Sequence, residues 1–264
     1  MSEKARAAAR HLYAAHEQRA RFEPLPPDLA PQSAEDAYAI QDAFLALRAE
    51  KLGSVVGYKI ALSSPEMQKF VGVDRPQAGA IHESTARATP ATVNFADYVR
   101  LIIEFEVAVE MGDDLPAADA PFTRERVAQA VNSVMPALEI ADDRNADYAL
   151  LPRHPLHLIA DNCWNEGAVL GRPITEWRTL DIPSLRAVAT INGECVGKGR
   201  AGDCMGHPFD AVAWIADHLA VHGRGLLRGD FVITGSIVTT KTVQVGDWVQ
   251  FAIEGLGSVE LRVT

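Results

Sequence analysis

Apolar and polar residues follow two different periodicities along this chain, and the change of pattern divides it into two parts. Residues 3–21 are rich in Ala, Arg and Glu, and a second helical pattern begins at a capping-box-like Ser33 and runs to about residue 50. Beyond that point, short runs of β-branched and aromatic residues replace the helical period. We therefore predict an N-terminal helical appendage over residues 1–53 and a β-rich domain over residues 54–264.

The β-rich part contains many short strand patterns and few helices. Helices are predicted over residues 123–133 and 208–222, a lid over residues 64–97, which lack clear periodicity, and a loop over residues 142–160. The remaining predicted elements are strands at 55–60, 101–111, 134–141, 185–192, 230–238, 247–254 and 258–263, with a hairpin at Gly255-Leu256-Gly257. This pattern predicts an α+β fold with rolled sheets.

The strand predicted over residues 101–111, LIIEFEVAVEM, carries two carboxylates on one face. Side chains at positions i and i+2 of a strand point the same way, so Glu104 and Glu106 are neighbours. Like charges that close destabilise each other unless a cation lies between them, and a hard divalent cation prefers oxygen ligands. Glu139 is a further carboxylate in an apolar strand, so the three could share one ion. Alternatively, Glu104 and Glu106 face solvent on a half-buried strand.

Composition and charge exclude several classes of protein. The chain has 264 residues with 48% hydrophobic and 23% charged residues, which is typical of a globular protein. Its formal net charge of −10 argues against binding to nucleic acid or to an anionic membrane. We find no apolar run long enough for a transmembrane helix and no secretory signal. The three cysteines have no C-x-x-C spacing, so we expect free thiols in a cytoplasmic protein.

Eight short motifs occur in order along nearly the whole chain. They are Gly57-Tyr58-Lys59-Ile60-Ala61-Leu62-Ser63-Ser64, Gly72-Val73-Asp74-Arg75-Pro76, Ile103-Glu104-Phe105-Glu106, Pro136-Ala137-Leu138-Glu139, Ala160-Asp161-Asn162, Gly206-His207-Pro208-Phe209-Asp210-Ala211-Val212-Ala213-Trp214, Thr234-Gly235-Ser236 and Gly255-Leu256-Gly257-Ser258-Val259. In this order and spacing the sequence resembles the 2-keto-4-pentenoate hydratase and 4-oxalocrotonate decarboxylase family. That family belongs to the larger group with the fumarylacetoacetate hydrolase-like fold, which implies mixed, rolled sheets.

The resemblance implies a divalent-metal-dependent lyase that acts on a small 2-hydroxy-dienoate or 2-oxo acid. It implies that Glu104, Glu106 and Glu139 bind Mg²⁺ or Mn²⁺, and that Lys59 stabilises negative charge or assists proton transfer. Family members ketonise the dienol and then add water or release CO₂. We expect a homo-oligomer, which could associate with a related decarboxylase or hydratase. The residues expected to contact the substrate are Ser63, Asp161, Asn162, Trp164, Asn165 and Ser236.

The chain departs from the family pattern in three places. The stretch from Gly79 to Ser84 stands where the family commonly has G-x-L-L-D-D, which leaves Glu83 as the expected general acid or base and adds His82 beside it. Trp164 and Asn165 replace small hydroxyl residues of the family, and Ile102 stands where the family often has Arg.

Four functions follow from this pattern. A hydratase is our first interpretation and a decarboxylase of a vinylogous 2-oxo diacid is the second. If His82 and Glu83 lie together on a turn, they would suit a third, a C–C hydrolase or tautomerase of acylpyruvates. The fourth is a non-catalytic partner subunit, which the intact set of three glutamates and Lys59 argues against.

Overall fold

Thirteen strands and six α-helices make up the computed structural model of the protein, which describes residues 2–264. The helices are α1 Glu3–Glu17, α2 Ala34–Leu52, α3 Pro65–Val71, α4 Arg124–Ala130, α5 Pro155–Ala160 and α6 Pro208–Val221. The strands are β1 Val55–Ala61, β2 Gln77–His82, β3 Ala86–Ala88, β4 Ala91–Val93, β5 Leu101–Met111, β6 Val131–Asp142, β7 Asn165–Leu170, β8 Arg186–Ile191, β9 Glu194–Arg200, β10 Phe231–Ile233, β11 Val238–Thr242, β12 Trp248–Ile253 and β13 Gly257–Val263.

The strands form two mixed sheets. The eight-stranded sheet has the order β2-β1-β10-β5-β6-β7-β3, with β11 also paired to β5, and the five-stranded sheet has the order β4-β13-β12-β8-β9. Three pairs are parallel, β1 with β10, β3 with β7, and β4 with β13, while the other pairs are antiparallel. The predicted α+β class, rich in mixed sheets and preceded by a small helical part, is confirmed.

The apolar face of β5 builds the core between the two sheets. The odd-numbered residues from Leu101 to Val109 are buried there, and Phe105 meets Phe251 of β12 edge to face with 5.5 Å between ring centroids. The even-numbered residues, including Glu104 and Glu106, therefore point to the opposite face of the large sheet. Strand β5 therefore has the alternation of its two faces that the sequence predicts.

The N-terminal helices cover an open edge of the large sheet. Strand β2 is the last strand on its side, and an edge strand leaves backbone groups without partners. The Ala78 N–H donates to Tyr38 Oη at 3.1 Å, and Gln41 Nε2 donates to Ala78 O at 2.9 Å. Both side chains come from α2, so this helix takes the place of a neighbouring strand.

A buried ionic cluster also ties the helical part to the sheet. His16 of α1 lies 2.6 Å from Asp161 and 3.2 Å from Glu166, and Arg48 of α2 pairs with Glu166 at 2.5 Å. Arg144 completes the cluster at 2.5 Å from Asp161. Burial alone would lower the pKa of His16, but the two carboxylates outweigh it and raise that pKa.

Several sequence-based boundaries are wrong. Within the segment 64–97, for which a lid without regular structure was predicted, residues from 77 onward form β2, β3 and β4 within the sheets. The predicted loop 142–160 contains the helix α5, which begins at Pro155, a favourable first helical residue. The strand predicted over 230–238 is broken between β10 and β11 by Gly235, whose φ is +100°.

Three further elements differ from prediction. The helix predicted over 123–133 ends at Ala130, where β6 begins. Strands β7 and β9 were not predicted. Strand β9 is half exposed, so its sequence has little apolar alternation. Among residues 2–264, no helix is long and apolar enough to cross a membrane.

We predict that His16→Gln weakens the ionic cluster and lowers the free energy of unfolding by about 2 kcal/mol below pH 6.5. Because the folded-state pKa of His16 is raised, its contribution is full below the unfolded value of 6.5 and is lost as the pH rises through the folded value. The deficit of the variant should therefore shrink at alkaline pH. Urea denaturation from pH 5 to pH 9 measures it.

The matched control for this experiment is His11→Gln, because His11 is an exposed residue on the same helix. It should leave the free energy of unfolding unchanged at every pH. A deficit for His16→Gln that grew with pH would contradict the assigned direction of the His16 pKa.

Candidate metal centre and active site

The register of β5 and β6 brings three glutamates together. Glu104 lies directly opposite Glu139 in the antiparallel pair, and Glu106 follows two residues later on the same face of β5. One carboxylate oxygen from each lies within 4.8 Å of the other two. Glu106 and Glu139 are fully buried and Glu104 is partly exposed, so the alternative in which Glu104 and Glu106 face solvent is wrong.

Each glutamate has one oxygen held by a donor from elsewhere in the fold. Such contacts fix the rotamer of a ligand and aim its other oxygen. The donors are Thr240 Oγ1 to Glu104 Oε1 at 2.8 Å, the Gly235 N–H to Glu106 Oε2 at 2.6 Å, and Asn165 Nδ2 to Glu139 Oε1 at 2.9 Å.

The second oxygens suit a divalent cation. Glu106 Oε1 is buried without a hydrogen-bond donor among the described residues, which is costly unless something positive binds there, whereas Glu139 Oε2 faces the Lys59 ammonium at 3.2 Å. Burial, reinforced by the neighbouring carboxylates, raises the pKa of Glu106 well above its usual range, and burial raises the pKa of Glu139 to about 7. An all-oxygen set of three carboxylates is the chemistry that Mg²⁺ or Mn²⁺ prefers.

Among the described residues, Lys59 is the only cationic side chain that pairs with one of the three glutamates. Its Nζ lies 3.2 Å from Glu139 Oε2, and its side chain is fully buried on β1. Burial opposes the charged form, but Glu139 and then Glu104 outweigh burial and raise the pKa of Lys59. Gly79 of β2 lies opposite Lys59 of β1. A Cβ at Gly79 would lie 3.0 Å from Lys59 Cγ, so this glycine makes room for the lysine.

Glu104 and Lys59 line a cavity of about 750 Å³, and Glu106 and Glu139 lie next to Glu104 outside this lining. Its walls come from β1 and α3, from β11, and from residues 148–164. Ser63, Trp164 and Ser236 line it, as predicted for substrate contacts. The Trp164 indole N–H has no hydrogen-bond partner among the described residues, whereas the Ser236 hydroxyl already accepts from the Phe105 N–H and donates to Val238 O.

Three other predicted substrate contacts do not line the cavity. Asn165 lies outside the lining and donates to Glu139, so it orients one of the candidate metal ligands. Asp161 is buried in the ionic cluster with His16 and Arg144. Asn162 covers the edge of β2, because its side chain accepts from the Ala80 N–H and donates to Ala80 O. For Asp161 and Asn162 the expectation of substrate contact is corrected to a structural role.

The structure also places His82 and Glu83 outside the cavity. In β2 the residue opposite Lys59 is Gly79, so His82 lies about 10 Å further along the strand. Its side chain points to the other face, where Nδ1 lies 2.9 Å from Gly53 O. Glu83 follows on an exposed turn. Strand alternation separates His82 from Lys59 and neither residue lines the cavity, so this geometry does not support their expected catalytic roles.

Sequence reasoning missed several residues that line the cavity. Arg100 and Tyr148 stand at its wall and both bind Asp143, the phenol donating at 2.6 Å. Thr240 was missed because β11 was not separated from β10 in the predicted strand. No sequence motif marked the apolar residues Met67 and Phe70 of α3, since helical residues in an expected lid read as solvent-exposed.

Comparison with known protein families gives one match over most of the chain. The family described as fumarylacetoacetate (FAA) hydrolase C-terminal matches residues 53–264. The 2-keto-4-pentenoate hydratase of Paraburkholderia xenovorans strain LB400 is 32% identical over 252 residues, which cover 96% of this chain and 92% of the relative. The 4-oxalocrotonate decarboxylase of Pseudomonas putida is 29% identical and covers 86% of this chain and 84% of its own.

Two solved structures share the fold. The 4-oxalocrotonate decarboxylase from Pseudomonas putida G7, complexed with magnesium and adipate, has a TM-score of 0.90 and 27% identity and covers 100% of this chain and 98% of its own. The fumarylpyruvate hydrolase from Pseudomonas aeruginosa, in complex with Mn²⁺ and pyruvate, has a TM-score of 0.61 and 15% identity over 78% of this chain and 88% of its own. The second likeness shows the fold alone.

We predict that Glu104→Gln and Glu139→Gln each weaken binding of Mg²⁺ or Mn²⁺ by about a hundredfold or more, because each removes a charged oxygen ligand. Metal content after dialysis and circular dichroism would show metal loss with the fold retained. Glu110→Gln is the control, since Glu110 lies on the same strand but binds Asn132 and Ser133. Stoichiometric metal in the double variant Glu104→Gln/Glu139→Gln would refute the site.

Proposed function

The chain belongs to the fumarylacetoacetate hydrolase family, and on that premise we propose that it is a divalent-metal-dependent hydro-lyase that hydrates a 2-hydroxy-dienoate, a compound of aromatic meta-cleavage catabolism. One observation carries this proposal. Three glutamates, two of them fully buried, cluster beside a buried lysine, and Glu104 and that lysine line a large cavity. The relative that is 32% identical over 96% of the chain is named a 2-keto-4-pentenoate hydratase.

The head group of a 2-oxo acid fits the part of the cavity that Glu104 and Lys59 line. Its 1-carboxylate and 2-oxygen are adjacent hard donors, and a divalent metal held by Glu104, Glu106 and Glu139 would supply Lewis-acid polarisation of the 2-oxygen. Lys59 Nζ stands beside the same glutamates at the cavity wall. A cation there stabilises negative charge that develops on the 2-oxygen during ketonisation, and its proton can be passed over a short distance.

Hydration further requires a proton and a water at the distal alkene. The cavity is large enough to hold water beside a small dienoate, and polar groups line the wall near the glutamates. Ser63 and Thr240 offer hydroxyl groups there, and Tyr148 offers a phenol that is bound to Asp143. The Ser63 hydroxyl can donate to a water or accept from it, whereas Thr240 and Tyr148, whose O–H groups already donate to Glu104 and Asp143, can accept from it.

A decarboxylase is the second candidate, because one relative and the solved structure with a TM-score of 0.90 are named 4-oxalocrotonate decarboxylase. The same glutamates and Lys59 would serve that reaction, which needs no added water. The hydrolase or tautomerase based on His82 and Glu83 loses its support, because neither residue lines the cavity. A non-catalytic partner subunit would have no use for the retained cluster.

The remaining features of the proposal are the identity of the metal, the oligomeric state and the location of the protein. The metal is divalent, and we propose Mg²⁺ or Mn²⁺ because the ligand set is all oxygen. A homo-oligomer, which could associate with a related decarboxylase or hydratase, is supported by exposed apolar side chains such as Val221 and Val245. A cytoplasmic location is supported by three unpaired cysteines, Cys163, Cys195 and Cys204.

We predict that the metal-loaded protein consumes 2-hydroxypenta-2,4-dienoate, with loss of the dienol absorbance and a product heavier by one water. EDTA should stop the reaction and Mg²⁺ or Mn²⁺ should restore it. Glu83→Gln is the matched control and should stay within about twofold of wild type, because Glu83 is exposed and distant from Lys59. Release of CO₂ from 4-oxalocrotonate, with no hydration of the dienoate, would replace the hydratase by the decarboxylase.

We predict that Lys59→Met lowers kcat by about a hundredfold to ten-thousandfold while the metal stays bound. The reason is that the variant keeps the volume of the side chain but removes the cation, and removing a cation next to three carboxylates cannot weaken metal binding electrostatically. Steady-state kinetics and metal titration separate the two effects. A near-normal kcat would reduce Lys59 to a structural partner of Glu139.

A further inference from the structure

One wall of the cavity is mostly apolar, with the hydroxyl groups of Ser63, Ser64 and Tyr148 as its polar members. There the chain turns from β1 into α3, and residues 148–164 form the facing wall. The apolar side chains that line this tail pocket are Leu62, Met67, Phe70, Leu151, Leu158 and Trp164. Because the head group of the substrate is held by the metal site, this wall contacts whatever extends beyond it.

The tail pocket has no free positive charge. Of the described residues that line the cavity, only Lys59 and Arg100 are cationic, and Lys59 is engaged by Glu139. Arg100 Nε donates to Asp143 Oδ1 at 2.5 Å and Nη2 donates to Oδ2, so the guanidinium is paired through two of its nitrogens. Asp143 is fully buried, and it cancels the charge of Arg100.

Two large apolar side chains of α3 face this pocket while still reaching solvent. Met67 is 45% exposed and Phe70 is 48% exposed, although both line the cavity. Exposed large apolar side chains that converge on a concave site are typical of a surface that an apolar ligand covers. Glu66 and Lys69 of the same helix lie outside the lining.

We propose that this pocket selects 2-oxo acids and 2-hydroxy-dienoates with an extended, uncharged apolar tail over those that end in a second carboxylate. The proposal rests on the proposed function for the head group only. A tail carboxylate would lose its hydration without gaining a cation, whereas each buried methylene improves affinity roughly fourfold. With a volume of about 750 Å³ the cavity exceeds what a five-carbon oxo acid fills.

The test is calorimetric titration of the wild-type protein with pyruvate, 2-oxoheptanoate and 2-oxoadipate, in Mg²⁺ and in EDTA. The two longer acids have tails of similar length and differ in the terminal carboxylate. We expect 2-oxoheptanoate to bind at least about tenfold more tightly than pyruvate. We expect 2-oxoadipate to bind at least about tenfold more weakly than 2-oxoheptanoate.

Variants of α3 sharpen the test without touching the metal site. Met67→Arg places an unpaired cation at the pocket wall and should improve the ratio of 2-oxoadipate to 2-oxoheptanoate affinity about tenfold. Glu66→Gln changes the net charge of the same helix by the same amount outside the lining, and should leave the ratio unchanged. Phe70→Ala should weaken 2-oxoheptanoate but not pyruvate.

The two proposals fail in different ways. Binding that is equal in Mg²⁺ and in EDTA overturns the metal-dependent head-group site and with it the proposed function. Metal-dependent binding in which 2-oxoadipate equals or exceeds 2-oxoheptanoate overturns the tail inference and leaves the head-group site standing. An unchanged affinity ratio in Met67→Arg would also overturn the tail inference, because it would show that the tail does not reach α3.

Discussion

The burial of three carboxylates and one lysine on an apolar sheet face is the constraint on which the rest of the structure depends. With all three glutamates ionised, Glu104, Glu106 and Glu139 with Lys59 carry two net negative charges, and two of the glutamates are inaccessible to solvent. Buried charges of that kind are strongly destabilising unless they are balanced. The divalent cation proposed for this site would balance them, so a cluster that is costly without metal would become neutral with it. Binding of that metal and the stability of the sheet would therefore be linked.

Helix α1 anchors the segment 161–166, which contacts the glutamate cluster through Asn165. Asn162, Cys163 and Trp164 all have positive φ near +50° to +61°, a conformation that costs non-glycine residues free energy. The turn is bracketed by Asp161 and Glu166, both of which are tied to His16 of α1. Within it, Trp164 reaches the cavity and, just after it, Asn165 reaches Glu139. The helices thus stabilise a strained turn that orients a ligand and shapes the cavity wall.

Strand alternation made the metal cluster predictable, and the same rule explains where sequence reasoning failed. Period two placed Glu104 and Glu106 on one face, and an apolar run around Glu139 indicated a buried carboxylate. The same alternation turns the His82 side chain away from Lys59. This orientation follows from the register between β1 and β2, which the sequence alone does not give. The turn with positive φ that places Asn162 at the edge of β2 contains no glycine, so the sequence does not indicate it. Strand register and turns of this kind are set by tertiary contacts, so they leave no local pattern in the sequence.

The proposed metal site and the proposed tail pocket are built on different kinds of backbone. The three glutamates and Lys59 lie on β1, β5 and β6, where neighbouring strands fix their positions. The wall of the tail pocket comes from α3 and from residues 148–164, which are short helices and turns at the surface. Substitutions in α3 would alter what fits without moving the glutamates, since no residue of α3 holds one of them. A shared head-group reaction can therefore serve hydration of an apolar dienoate in one relative and decarboxylation of a diacid in another.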